Sequence, residues 1–402
     1  MLIVHKYGGT SVGSLERISN VASRVAKAKE MGNDIVVVVS AMSGETNKLT
    51  DFAKYFSENP SKREMDMLLS SGEIVTASLL AIALKEKGFD AIALTGQQAG
   101  IKTDSFHTYA RIESIDPTLM QQELKSGKIV IVAGFQGVNS NGAVTTLGRG
   151  GSDLSAVAIA GALKADACEI YSDVDGIYTT DPRIEPKAKK MDFISYEEML
   201  ELASLGAKVL QNRSVELAKK LNVKIVAKSS FSDGEGTVIG NEESGNMETV
   251  LVSGIALDRN QARVSLRDVS DRPGIAAEIF TKLADEQINV DMIIQNASSD
   301  GLTSLGFTVA QSELSRAKEI IENFDHDIGG KSFDSDICKV SIVGVGMKSH
   351  SGVAATAFSA LAKENINIEM ISTSEIKVSM IIAEKYAELA VRTLHSVYKL
   401  DV

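Results

Sequence analysis

A lysine carried by a short apolar strand into a glycine-rich turn is the first arrangement in this chain able to do chemistry: Leu2-Ile3-Val4-His5-Lys6-Tyr7-Gly8-Gly9-Thr10-Ser11-Val12-Gly13. Glycines at 8, 9 and 13 let backbone N–H groups approach phosphoryl oxygens, Lys6 adds a point cation, and a helix starting near Ser14 would aim its positive end inward. The plainer reading is a tight strand-to-helix turn beside an exposed lysine. A second cluster, Thr145-Thr146-Leu147-Gly148-Arg149-Gly150-Gly151-Ser152-Asp153, ends a strand-like run and opens the apolar helix Leu154 to Leu163. Arg149 can grip a carboxylate or phosphate through two parallel hydrogen bonds, and Asp153 can orient a lysine or a metal-bound water. Otherwise Ser152 or Asp153 caps the helix and Arg149 is solvated. A third, Cys168 to Tyr171-Ser172-Asp173-Val174-Asp175-Gly176-Ile177-Tyr178-Thr179-Thr180-Asp181-Pro182-Arg183, is a strand followed by a polar loop. Any one of its residues serves as well in a turn. Together the three stretches gather lysine, arginine and aspartate at the carboxyl ends of strands, where open α/β sheets bind ligands.

Such groups need a sheet to hold them at one edge. Strands are expected at Leu2–His5, Ile35–Val39, Ala91–Leu94, Ile129–Ala133, Glu169–Tyr171 and Val223–Val226, with long helices at Leu15–Met31 and Glu64–Lys87 whose apolar residues recur every three or four positions. This alternation predicts an α/β fold with a mainly parallel sheet covered on both faces. The polar stretch from Gly234 to Glu248 reads as a linker, ending a first domain over 1–240. Beyond it the chain repeats itself at an offset of 78 residues, Gly274 to Ile293 matching Gly352 to Ile371. A strand precedes each copy (Ala262–Leu266; Lys339–Val343), and two strand-like runs and a second helix follow each first helix. That βαββαβ order is ferredoxin-like. The copies are expected at 250–330 and 331–402, with strand exchange between them left open near 330.

The chain's 402 residues exceed one ordinary core. A net charge of −11, no Trp and 5% aromatics argue against a nucleic-acid partner, which wants a positive face with stacking side chains. Small molecules and other subunits are the expected partners. Cys168 and Cys338 lie in strand-like runs and read as buried thiols, and the five histidines show no ligand spacing, so no protein metal site is assigned. No run is expected to reach the ~18 apolar residues of a membrane span, and the N-terminus enters a strand without a signal-peptide pattern. A cytoplasmic protein with no membrane partner is expected.

The motifs KYGGTSVG, SAMS at 40 to 43, GRGGSD at 148 to 153 and YSDVDGIYTTDPR at 171 to 183 resemble those of the aspartokinases, members of the amino-acid kinase superfamily, over nearly the whole chain. The resemblance implies an α/β/α sandwich kinase domain, two ACT domains, and transfer of the γ-phosphoryl of MgATP to the side-chain carboxylate of L-aspartate. A carboxylate with a pKa of about 3.9 is already ionised at neutral pH, so the lack of a catalytic His or Ser-His pair agrees. No GxxxxGK[ST] pattern occurs, which excludes the P-loop solution and leaves phosphate binding to Lys6, Gly8 and Gly9.

Motif by motif, the resemblance implies Lys6, Arg149 and Asp153 as catalytic. Lys6, Tyr7, Gly8, Gly9, Ser172, Asp173, Tyr178, Asp181, Pro182, Arg183 and Lys208 would bind ATP, with Mg as cofactor. For aspartate it implies Ser40, Thr46, Asn47, Glu73, Arg149, Gly150, Gly151 and Ser152, Glu73 meeting the ammonium and Arg149 a carboxylate. An unpaired carboxylate at Glu73, inside an apolar helix, would otherwise be costly. Lys208, at a helix start, is equally a solvated charge. The run Ser40-Ala41-Met42-Ser43-Gly44-Glu45-Thr46-Asn47 departs from the family's SAMG pattern.

For the tandem the resemblance implies effector contacts at Asp271, Gly274, Asn289, Val290, Asp291 and Gln295, and at Val353, Ala354, Asn367, Ile368, Glu369, Thr373 and Ser374, with lysine and/or threonine as effectors. Asp291 or Glu369 would meet an ammonium. A dimerisation module without ligand is the plainer alternative. Ser351 replaces the family's usual proline, so the second copy would be a structural half without ligand. A homo-oligomer is expected, or association with an ACT-only regulatory chain started at Met247. Two other functions stay open at this stage: a related kinase acting on glutamate or an acylated glutamate, and a non-catalytic amino-acid sensor.

Overall fold

Alternation of side chains decides how the first strand is used. In β1 (Leu2–Tyr7), Ile3, His5 and Tyr7 fall on one face and Val4 and Lys6 on the other. The computed structural model describes residues 1–204, 209–241, 251–296, 301–324, 328–348 and 352–401. It divides into two units, the first comprising Met1–Ile177, Lys190–Ala203 and Lys208–Gly245, the second Tyr178–Lys189, Ser204–Ala207 and Asn246–Val402.

The first unit continues with α1 (Leu15–Glu30), β2 (Asp34–Val39), α2 (Glu45–Phe56), α3 (Lys62–Glu86), β3 (Ala91–Leu94), β4 (Ile101–Thr103), β5 (Ile112–Ile115), α4 (Thr118–Lys125), β6 (Ile129–Ala133), β7 (Gln136–Val138) and β8 (Val144–Thr146). Then come α5 (Gly151–Leu163), β9 (Ala167–Ser172), β10 (Phe193–Ser195), α6 (Tyr196–Ser204), α7 (Asn212–Leu221), β11 (Ile225–Ser229) and β12 (Thr237–Gly240). Eight strands form one sheet in the order β10-β12-β11-β9-β1-β2-β6-β3, parallel except where β11 meets β12. A smaller sheet runs β5-β4-β7-β8. Ile3 and Tyr7 pack with Ile35, Val37, Val39, Ile129 and Ile131 against α1 and α3. On the opposite face lies α5, against β1, β2, β9 and α7. Strands β9, β1 and β2 end level, Tyr7 opposite both Tyr171 and Val39, so their following loops meet at one edge.

Several expectations shift. Helix α5 starts at Gly151, because Gly150 takes a left-handed φ of 73° as its cap, so Ser152 and Asp153 lie in the first turn instead of capping it. The strand expected from Val223 starts at Ile225: Asn222 is left-handed, and the Val223 N–H bonds back to the Ala218 carbonyl. Helix α3 is long and apolar enough, by length and composition, to cross a membrane, which corrects the expectation that no run reaches that threshold. Ala77, Leu80, Ala81 and Leu84 of this helix are buried in the first unit's core, and it carries two buried carboxylates, Asp66 and Glu73.

The second unit contains β13 (Gly254–Asp258), β14 (Ala262–Ser270), α8 (Ile275–Asp285), β15 (Val290–Asn296), β16 (Leu302–Val309), α9 (Leu314–Glu322), β17 (Ile328–Asp334), β18 (Ile337–Val343), α10 (Val353–Lys363), β19 (Met370–Thr373), β20 (Lys377–Ala383) and α11 (Ala387–Val397). The first copy forms the sheet β15-β16-β14-β17 from consecutive elements. The second is β13-β18-β20-β19, its fourth strand coming from upstream of the first copy. The pairing therefore encloses the first copy within the second, where the sequence division at 250–330 and 331–402 had them follow one another. An edge left open on β18 is what β13 closes. Met292, Ile294, Ile337, Met370 and Ile381 join the two sheets in one apolar cluster. Cys168 and Cys338 are buried and free, and burial pushes the Cys338 thiol up to about 12.

Candidate functional site

Lys6 reaches the strand-end edge because β1 delivers it to the α5 face two residues before the glycine turn. Its side chain is buried, 8% of the residue being exposed, and its Nζ lies 2.6 Å from Asp153 Oδ1 in the first turn of α5. This pair fixes a cation beside the helix N-terminus, where anions are favoured. The Gly8 N–H, expected to donate to a phosphate, instead donates to the Tyr171 carbonyl at 3.2 Å, extending the β1–β9 ladder. What Gly8 supplies is absence of bulk: a Cβ there would lie 3.3 Å from Lys6 Nζ. Gly9 and Thr10 keep N–H groups that make none of the described turn bonds.

Glu73 is held on the neighbouring strand end. Its Oε1 accepts the Ala41 N–H at 3.0 Å, directly after Ser40 at the end of β2. Only 4% of the residue is exposed, and Oε2 has no hydrogen-bond partner. Burial raises its pKa to about 7 against the pull of the Ala41 bond. Gly72 makes this approach possible, since a Cβ there would sit 2.8 Å from the Ala41 Cβ. Thr46 is half-buried and Asn47 exposed in the first turn of α2.

Arg149 is exposed, on the turn that leads from β8 into α5. A network that sequence reasoning missed grips this turn. Asp66, fully buried on α3, accepts from Thr146 Oγ1 at 2.5 Å and the Thr108 N–H at 3.0 Å, and contacts His107 Nδ1 at 2.6 Å. Arg213 donates to the Leu147 and Ala110 carbonyls and stacks over Tyr109. The available signal was the heptad interval between Asp66 and Glu73, which puts two acids on one face of an apolar helix.

On the sheet's other face the buried His5, Tyr7 and Tyr171 form a second polar group with the half-buried Glu169 and Lys228. Glu169 accepts from Lys228 Nζ and from the Tyr171 hydroxyl, both at 2.6 Å, and lies 3.3 Å from His5 Nε2. Burial takes the His5 pKa down to about 4, so it is neutral. Ser172 ends β9, and Asp173 is exposed in the loop beyond. Tyr178, Asp181, Pro182 and Arg183 belong to the second unit. There Arg183 donates to both oxygens of Asp181, whose carboxyl it holds low. Lys208 lies outside the described residues, as do Met247 and Ser351.

In the tandem, Gly274 and Gly352 start α8 and α10 in the left-handed region, and Val353 is buried. Asp271, Asn289, Gln295, Asn367, Thr373 and Ser374 are exposed, while Val290, Ala354 and Ile368 are half-buried. The two acids expected to meet an ammonium already have cations. Asp291 pairs with Lys339, and Glu369 lies 2.5 Å from Arg263, each partner coming from the opposite copy.

Fold and site together define an α/β enzyme that handles phosphoryl groups and carries a ferredoxin-like tandem. The family model of the amino acid kinase family matches residues 1–228, and that of the ACT domain matches 266–323 and 340–398. Aspartokinase from Helicobacter pylori is 61% identical over 404 residues, covering 100% of both chains. The aspartokinase of Pseudomonas aeruginosa is 54% identical over 403 residues, covering 100% of this chain and 98% of its own. Among solved structures, E. coli aspartokinase III in complex with aspartate and ADP aligns over 99% of each chain at 26% identity and a TM-score of 0.80. Aspartate kinase from Synechocystis aligns over 99% of this chain and 69% of its own, at 43% identity and a TM-score of 0.56. The chain belongs to the amino acid kinase family, in its ACT-bearing aspartokinase branch, and is a kinase.

Proposed function

We propose that this chain transfers the γ-phosphoryl of MgATP to the side-chain carboxylate of L-aspartate, giving 4-phospho-L-aspartate, the first step toward lysine, threonine and methionine. The observation that carries this reading is Glu73 Oε2, a buried carboxylate oxygen without a partner, one strand away from the Lys6–Asp153 pair. A substrate ammonium would satisfy Glu73, and Arg149 would take a carboxylate. Lys6, with the Gly9 and Thr10 N–H groups and the start of α5, would stabilise charge on the transferring phosphoryl. The nucleophile is an ionised carboxylate, so no side chain removes a proton.

The residues at the strand ends suit a nucleotide, with a buried cation and backbone donors. For Mg they offer no cage, since no group of three His, Cys, Asp or Glu side chains is placed to hold a metal among the described residues. This suits Mg carried in by the phosphates with its own waters. Bound to ATP, Mg neutralises phosphate charge. Tyr178, Asp181, Pro182, Arg183 and Lys208 are proposed to contact the nucleotide.

For regulation we propose lysine and/or threonine at the tandem. E. coli aspartokinase III has been solved with lysine and aspartate. An effector ammonium would displace Lys339 from Asp291 or Arg263 from Glu369. The exposed face of β15 suits pairing with a second copy or an ACT-only chain. The chain is proposed to act in the cytoplasm. ADP release measured with aspartate, glutamate and N-acetylglutamate tests the substrate: turnover with aspartate alone is expected, and turnover with either glutamate compound alone would contradict the reading.

A further inference from the structure

We propose that Asp66 is a positioning residue for the substrate site, locking the turn that presents Arg149 to the helix that carries Glu73. The inference rests on the aspartate reading above and adds to it a device that sets the span between the two grips on the substrate.

Four observations converge. Asp66 is fully buried, and its carboxylate joins three segments that are far apart in sequence: α3 itself, the loop at His107 and Thr108, and Thr146 at the end of β8. Thr146 is three residues from Arg149. Thr108 holds a φ of 70°, a left-handed conformation that a β-branched residue adopts only under constraint, and its N–H is bound by both Asp66 oxygens. The strained loop packs against the Arg149 turn: Gly148 has a φ of 79°, and a Cβ there would meet the Tyr109 ring at 2.6 Å. Arg213 closes the arrangement from the other side through the Leu147 and Ala110 carbonyls.

Asp66 and Glu73 stand seven residues apart on one buried helix face, two turns of a rigid rod of about 10 Å. Glu73 fixes where the ammonium sits, and Asp66 fixes where the Arg149 turn starts. Loosening the Asp66 bonds leaves the ammonium grip intact and blurs the carboxylate grip. The affinity for aspartate falls, whereas the nucleotide, which uses neither group, is held as before.

Thr146→Val removes one hydroxyl at constant volume, Thr146→Ser restores it, and Asp66→Asn weakens the whole junction. The full chain carrying each substitution is assayed for kcat and for KM toward aspartate and ATP, beside Arg149→Ala, with thermal melting as the folding control. Thr146→Val is expected to raise the aspartate KM about tenfold, equivalent to ~1.4 kcal/mol. Its ATP KM stays within about twofold, Thr146→Ser returns to the parent value, and Asp66→Asn shifts further in the same direction. If Arg149→Ala raises the aspartate KM while folded Thr146→Val and Asp66→Asn leave it unchanged, the positioning role is overturned and the substrate reading stands. An equal loss through both KM values and kcat also overturns it, as general destabilisation. If Arg149→Ala leaves the aspartate KM unchanged, the substrate reading falls and takes this inference with it.

Discussion

Replacing Glu73 by Gln should make the protein more stable and much worse at binding aspartate. The side chain keeps its volume and its Oε1, so the Ala41 N–H bond survives; only the charge is lost. In the parent, burial raises the carboxyl pKa from 4.5 to about 7. That gap corresponds to a destabilisation on the order of 3 kcal/mol for the ionised form. The sign follows from linkage. With the folded pKa above the unfolded one, the unfolded chain releases its proton first, so stability is full below pH ~4.5 and falls until pH passes ~7. Urea unfolding of Glu73→Gln should therefore match the parent at pH 4.5 and exceed it by up to ~3 kcal/mol at pH 8. Catalysis should run the other way. Only the carboxylate grips an ammonium, so the parent kcat/KM for aspartate should rise tenfold per pH unit below ~7 and level off above it, about a tenth of the plateau remaining at pH 6. In Glu73→Gln the profile should be flat through this range and roughly a hundredfold lower at pH 8. A parent profile breaking near pH 4.5, or a variant with an unchanged aspartate KM and no gain in stability, would refute the reasoning.

Three further outcomes follow from the same geometry. Lys6→Met should abolish turnover and, by leaving Asp153 buried without its cation, cost about 3–5 kcal/mol in urea unfolding; adding Asp153→Asn should restore much of the stability and none of the activity. Gly72→Ala places a methyl 2.8 Å from the Ala41 Cβ, and should cost about 1–3 kcal/mol while raising the aspartate KM more than the ATP KM. Lys339→Met frees Asp291, so calorimetric titration with lysine and with threonine should show an effector bound about threefold more tightly, a modest factor because Asp291 is partly solvated; weaker binding would mean that Lys339 helps to hold the effector.

Local signals point to the candidate site where its chemistry is local. Lys6 before two glycines, Asp153 opening an apolar helix and Glu73 inside one are each conspicuous within a few residues, and the strand periods around them define the parallel sheet. The partners of Asp66 lie 41 to 80 residues away, so its own stretch shows only the heptad spacing to Glu73 and not what Asp66 joins. The Gly8 N–H is similar: its bond to Tyr171 depends on β9 lying beside β1, a pairing of distant segments. The origin of the second copy's fourth strand was hidden for the same reason, because β13 is apolar and short wherever it pairs. Helix α3 shows the opposite limit, since its composition would suit a membrane while Ala77, Leu80, Ala81 and Leu84 pack in the first unit's core.

The proposed reaction moves the γ-phosphoryl of ATP to the side-chain carboxylate of aspartate. Hydroxylamine trapping of the ATP-dependent product, with the hydroxamate identified by mass spectrometry, tests it most directly. The expected product is the β-hydroxamate of aspartate, dependent on Lys6 and absent with glutamate. A folded, ATP-binding protein that yields no hydroxamate from aspartate, or yields the α-isomer, would contradict it.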